Sequence, residues 1–267
     1  MSTPEFPTSI GVSTPEAITL LGADLAGELM GSVSFGELAF WLVTGRRPSA
    51  GEVRVFEACL VSLADHGFTP TAIAARLTLL SAPESIQGAL AAGILGGGSR
   101  FLGVTEDTGR FLADALARAE QTPQTASDFD AIARDAVASA HRDGRYVPGL
   151  GHPVHKERDP RTGVLMELAR REGAAGPHVA LFEAIGRVHA DILGRRLPLN
   201  GAGAAGAVLW DLGIEGELAR GVVLLARTAG ILGHLAEERR RPIAMDVYLT
   251  VDRGARYVAP GASDPTA

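Results

Sequence analysis

Reactive side chains concentrate in one short stretch, Val147 to Arg161. It holds His152, His155, Lys156, Glu157, Arg158, Asp159 and Arg161 beside Gly149 and Gly151 and the prolines Pro148, Pro153 and Pro160. Imidazoles exchange protons near neutral pH, and guanidinium or ammonium groups bind carboxylate and phosphate. Glycine lets backbone amides come close to such an anion, and Asp-Pro opens a turn or the next helix. One reading is a loop that grips an anion; the other is a solvated, charged connection between helices. His152 and His155 lack a third ligand at a recognisable zinc spacing, so no metal site is expected.

Arg227 is a second signal, because almost every neighbour between Gly221 and His234 is apolar. A guanidinium on a buried helix needs a carboxylate, a phosphate or a ligand to offset its desolvation. The partner is either an internal Asp or Glu or a bound anion. His234 lies seven residues on, close to the same face. Asp65-His66-Gly67 falls between two amphipathic stretches, which places His66 at a helix junction where Gly67 relieves the turn. His189 shares an apolar face with Phe182, Ile185, Ile192 and Leu193 and reads as a core histidine. Gly201-Ala202-Gly203-Ala204-Ala205-Gly206 matches the GxGxxG spacing, but no strand precedes it and no acidic residue follows at about twenty residues, so dinucleotide binding is not expected.

These residues must be carried by helices. Phe35, Leu38, Ala39, Leu42 and Val43 repeat at i, i+3, i+4, as do Phe56, Cys59, Leu60 and Leu63. The same spacing predicts helices near 70–80, 84–95, 105–121, 126–142, 160–172, 178–194, 203–212 and 216–239. No run alternates at period two, so the fold class is all-α. At 267 residues the chain can bury a large core or two modest domains, and 46% apolar with 21% charged residues argues against disorder. A formal charge of -6 speaks against a nucleic-acid binder that works through a basic surface. The single cysteine, Cys59, rules out an internal disulfide and fits a reducing cytoplasm. The first residues lack the pattern of a secretory leader, and arginine or glycine breaks every long apolar run, so no membrane span is expected. The tail 259–267 is expected to be disordered.

Taken in order, Asp65-His66-Gly67, the Gly-rich turn at 93–103, the run from Val147 through His152 to Asp159-Pro160-Arg161, the Leu-Ala-Arg227-Thr-Ala-Gly segment and Arg241-Pro242 resemble the citrate synthase superfamily. The likeness is greatest to its citryl-CoA lyase branch, which includes the C-terminal module of ATP-citrate lyase, and it spans about residues 8 to 258. The resemblance implies an all-helical two-domain fold with a cleft between a large domain (1–103 and 206–267) and a small one (104–205). It implies a homodimer or a dimer of dimers, with a CoA thioester and a carboxylate as substrates and no tightly bound cofactor or metal. Carried over by position, His152 handles the proton on the alcohol or carbonyl oxygen and His66 hydrogen-bonds the carboxylate or hydroxyl-bearing end. Arg161 and Arg227 bind substrate carboxylates, Arg241 reaches the partner subunit's site, and Gly149, Gly151 and Lys156 contact CoA.

Two departures refine this. Synthases carry a histidine in the Gly-rich turn that stabilises the enolate, whereas Gly96 to Phe101 has none, as in the lyase branch. The family's catalytic aspartate follows an Asn-Val pair, and after Asn200 the corresponding position is Ala202. The nearest carboxylate along the following helix is Asp211. The leading expectation is a lyase that cleaves a 3-hydroxyacyl-CoA by retro-aldol chemistry into an acyl-CoA and a carbonyl or keto-acid fragment. The alternatives are a condensing acyltransferase running the reverse reaction and a non-catalytic CoA or carboxylate sensor.

Overall fold

The computed structural model describes residues 5–261, so residues 262–267 of the expected disordered tail lie outside the described residues. Local capping sets most helix starts. Ser34 caps α1 (Phe35–Thr44) by accepting from the Glu37 amide, and α2 spans Ala50–Leu63. Thr69 caps α3 (Pro70–Ser81), with proline in its first turn, and Ser85 caps α4 (Ile86–Leu95). After α5 (Ser99–Leu102) and α6 (Val104–Ala117), a reciprocal Thr125–Asp128 capping box opens α7 (Ala126–Arg142). Asp159 and Pro160 start α8 (Pro160–Arg171), and α9 (Pro177–Leu193) ends on the left-handed Gly194. Asn200 caps α10 (Gly201–Asp211), which is followed by α11 (Glu217–Arg240) and α12 (Ala244–Gly254).

The all-α expectation holds, with two additions. The segment before α1 forms a small antiparallel meander, β1 (Gly11–Ser13), β2 (Ile18–Leu20) and β3 (Ala23–Asp24), followed by a π-helical turn at Leu25–Leu29. Strands of two or three residues are too short to show an alternation period. Helix α12 was also not foreseen. Its opening amides, Ile243 and Ala244, donate to the Glu238 carboxylate of α11, so its cap comes from another helix and leaves no local Ser, Thr or Asp signature.

The chain forms two compact units, Met1–Leu63 with Ser99–Val223 and Ala64–Gly98 with Leu224–Ala267. In the first, α10 is buried along nearly its whole length and packs on α6, α8 and α9, while α7 lies against α9. A Cβ on Gly203 would sit 2.6 Å from the Gly149 Cα and 2.7 Å from Phe182, and one on Gly206 would sit 2.3 Å from the Thr105 carbonyl oxygen. Gly203 and Gly206 of the GxGxxG spacing therefore serve close helix packing. In the second unit, α3 pairs with α4, and Ala75, Leu79, Ala89, Ile231 and Leu235 make the core. Helix α11 is long and apolar enough to cross a membrane by length and composition alone. Its Ala226, Ile231 and Leu235 are buried in the protein and Arg227 sits mid-helix, which is the pattern of a core helix.

Candidate functional site

The reactive run of the first unit is shaped by two glycines and one asparagine. Gly149 and Gly151 take φ of +79° and +90°, the left-handed region that side chains avoid. The loop lies antiparallel to 198–200. Gly151 N donates to the Pro198 carbonyl at 2.7 Å, and Asn200 N donates to the Gly149 carbonyl at 2.9 Å. Asn200 then uses both ends of its amide: Nδ2 donates to the Gly151 carbonyl at 2.8 Å, and Oδ1 accepts from Gly203 N at 2.8 Å. One side chain thus joins the loop to the N-terminus of α10. It also means that both backbone polar groups of Gly151 and the carbonyl of Gly149 are already bonded within the protein.

The loop delivers His152, whose Nδ1 accepts from the amides of Val154 and His155 at 3.1 and 3.0 Å. An amide can only donate, so the Nδ1 lone pair is committed and the ring hydrogen sits on Nε2. Nε2 lies 3.8 Å from Asp159 Oδ2, and the His155 ring stacks tilted at 4.5 Å. Lys156 turns back to donate to the His152 carbonyl at 3.3 Å and is exposed.

Asp159 is fully buried and gathers four donors. Its Oδ1 accepts from Arg161 N and Nε at 3.0 and 3.1 Å, and Oδ2 accepts from Arg161 Nη2 and Gly201 N at 2.8 Å each. Burial opposes ionisation, but the Arg161 fork and the two amides outweigh it and hold this carboxyl well below the usual carboxylate range. Arg161 Nη1 also donates to the Ser62 carbonyl at 3.2 Å. The expected carboxylate-binding Arg161 thus spends two nitrogens on Asp159 and part of a third on Ser62, leaving one hydrogen on each Nη for a ligand.

The second unit holds His66, Arg227 and Arg241. His66 is on an exposed loop, Arg227 is 5% exposed, and Arg241 is exposed just beyond α11. The residues that organise this region were not singled out from sequence as a group. Arg76, 2% exposed on α3, donates to Glu238 at 2.7 Å, to Glu237, and through Nη2 and Nε to His234 Nδ1 at 2.9 and 3.2 Å. His234 Nε2 meets Asp65 Oδ1 at 2.9 Å, and Asp65 Oδ2 accepts from Gly67 N at 2.8 Å. Arg76 carried the signal that flagged Arg227, a lone arginine among Ala72 to Leu80.

The carboxylate nearest to Ala202 along α10, Asp211, is engaged elsewhere. Asp211 accepts from Gly176 N, His178 N, His178 Nδ1 and Val179 N at 2.6 to 3.0 Å, so it caps α9 and is fully engaged. His189 is buried as expected, its Nδ1 within 2.9 Å of the Ile185 carbonyl and its Nε2 accepting from Leu197 N at 2.9 Å. Among the described residues, no three His, Cys, Asp or Glu side chains gather as a metal-ligand set.

This helical architecture carries an imidazole on a glycine-shaped loop, with Arg161 joined to it through Asp159. Residues 23–244 match the family model described as citrate synthase, C-terminal domain, and the chain belongs to that family. It is similar to the citryl-CoA lyase of Hydrogenobacter thermophilus, at 29% identity and a TM-score of 0.83 over 98% of both chains. It shares its fold with the ATP citrate lyase of Methanothrix soehngenii solved with citrate and coenzyme A, at 20% identity and a TM-score of 0.79, covering 98% of this chain and 43% of that one. It is 28% identical to the citrate synthase of Deinococcus radiodurans over 231 residues, 82% of this chain and 56% of that protein. The chain thus spans about half the length of that curated relative.

Proposed function

We propose that this chain is a carbon–carbon lyase of the citryl-CoA lyase type, cleaving a 3-hydroxyacyl-CoA into an acyl-CoA and a carbonyl or keto-acid fragment. The observation that carries this reading is the fixed polarity of His152, whose two Nδ1 amide bonds leave Nε2–H as its donor. In a retro-aldol cleavage the C3 hydroxyl loses its proton, the C2–C3 bonding pair moves into the thioester as an enolate, and the C3 oxygen becomes a carbonyl. The hydroxyl proton passes to solvent, since neither ring nitrogen of His152 is free to take it, and the enolate takes a proton at C2, so one proton leaves oxygen and one arrives at carbon. Charge builds on the C3 oxygen when its proton leaves and passes into the enolate as the bond breaks, and a pre-oriented N–H at that oxygen stabilises the alkoxide that must form first. In this reading His66 bonds the hydroxyl-bearing end, Arg161, Arg227 and Arg241 bind carboxylates, and Lys156 supplies charge for CoA on a loop that Gly149 and Gly151 shape. Ala202 offers no proton and Asp211 is engaged, so solvent supplies the proton at C2. The full-length likeness to a citryl-CoA lyase supports the direction of reaction.

The test is a mass-spectrometric assay of a panel of 3-hydroxyacyl-CoA thioesters, citryl-CoA included. Release of an acyl-CoA from one member, lost in His152→Ala while thioester binding persists, is the expected result; unchanged turnover in His152→Ala refutes the mechanism. Ala202→Asp should raise cleavage of citryl-CoA. Ala202 together with an Asp211 engaged at the start of α9 favours one second reading, a CoA or carboxylate sensor, and that reading gains if thioesters bind and none is cleaved.

A further inference from the structure

The loop bearing His66 is fixed by a line of side chains that starts deep in the second unit. Arg76 can only donate, so His234 Nδ1 must accept from it, and the His234 ring hydrogen is forced onto Nε2. That hydrogen is then donated to Asp65 Oδ1 at 2.9 Å, and the other Asp65 oxygen holds Gly67 N at 2.8 Å. Asp65 and Gly67 flank His66, and Gly67 takes a φ of +71°, so the backbone on both sides of His66 is set. Helix α11 seats the same loop a second way. Gly230, one turn before His234, comes so close that a Cβ there would lie 2.0 Å from the Ala64 carbonyl oxygen. Phe68 completes the seat, its ring 5.2 Å from the Arg76 guanidinium and 5.7 Å from the His234 ring.

The outer link adds little to stability, because the Asp65 side chain is 49% exposed and solvent screens exposed pairs. Its consequence is geometric: a permanently charged, buried guanidinium dictates the tautomer of His234, and the tautomer dictates where Asp65 sits.

We propose that Arg76 and His234 are positioning residues for His66, holding the Asp65-His66-Gly67 loop in the geometry that presents the imidazole to substrate. This rests on the reading of His66 as a substrate contact. Two variants separate positioning from bulk stability. His234→Leu keeps an apolar side chain beside Phe68 and removes both hydrogen bonds. His234→Gln places an acceptor and a donor on one carbon, repeating the order of Nδ1, Cε1 and Nε2, and can bridge Arg76 to Asp65.

Each full-length variant is followed by thioester cleavage kinetics, thermal unfolding and the ring resonances of His66, identified by their absence in His66→Gln. In His234→Leu the His66 resonances shift and kcat falls by on the order of 100-fold, the scale expected for a misplaced reacting group, with KM little altered. In His234→Gln both recover most of the way. The proposal is overturned if the His66 resonances are unchanged in His234→Leu, or if His234→Gln is as impaired as His234→Leu. If the wild type cleaves no thioester the lyase reading has failed, and the His66 resonances decide the positioning claim alone.

Discussion

Replacing Asp159 by asparagine probes the join between the His152 loop, α8 and α10. Four donors converge on this buried carboxylate, two on each oxygen. Asparagine keeps one oxygen and turns an amide NH2 toward the other pair, so whichever way it lies two donors face a donor. Breaking one partner of a buried ion pair costs about 3–5 kcal/mol. Arg161 is 24% exposed at its side chain and can partly rehydrate, which favours the low end, about 3 kcal/mol. At about 2–4 °C per kcal/mol for a unit of this size, the midpoint of thermal unfolding should fall by roughly 6–12 °C. Circular dichroism melts at neutral pH measure it directly. The sign of the pH dependence is also fixed. The folded carboxyl titrates below its unfolded counterpart, so its stabilisation is fully present above the ordinary aspartate range near 3.9 and is lost as pH falls below it. The gap between wild type and Asp159→Asn should therefore narrow in acid. A midpoint within about 2 °C of wild type at neutral pH would refute the reasoning.

Two further outcomes follow from packing and burial. Gly203→Ala should destabilise by about 1–3 kcal/mol, the usual range for overpacking, because the nearest atom its Cβ meets is Gly149 backbone; an unchanged denaturant midpoint would show that the loop can retreat. Cys59 is buried, and burial pushes its thiol up to about 12, so a disulfide reagent should label it only in denaturant; rapid labelling of native protein would contradict the packing around α2.

The expected helices were legible because their causes are local. Apolar residues three and four apart, Thr69 before Pro70, Thr125 three residues before Asp128, and Asp159 before Pro160 each act within one or two turns. The chemical content of the Val147–Arg161 run was equally readable, since the residue types lie together in the chain. What the run does with them was not. Whether Arg161 is open to an anion or bound to Asp159, and whether Asp211 could replace the carboxylate absent at Ala202, depend on which donors come within about 3 Å once the helices pack.

A long-range case is Arg76, whose partners Glu237, Glu238 and His234 lie 158 to 162 positions away. The sequence by itself determined a helical chain and placed an imidazole, arginines and glycines of types that can bind an anion. The tertiary structure alone decided the tautomers of His152 and His234, the engagement of Asp159 and Asp211, and the external cap of α12. Periodicity and capping are set by neighbours along the chain, whereas hydrogen-bond partnership is set by neighbours in space.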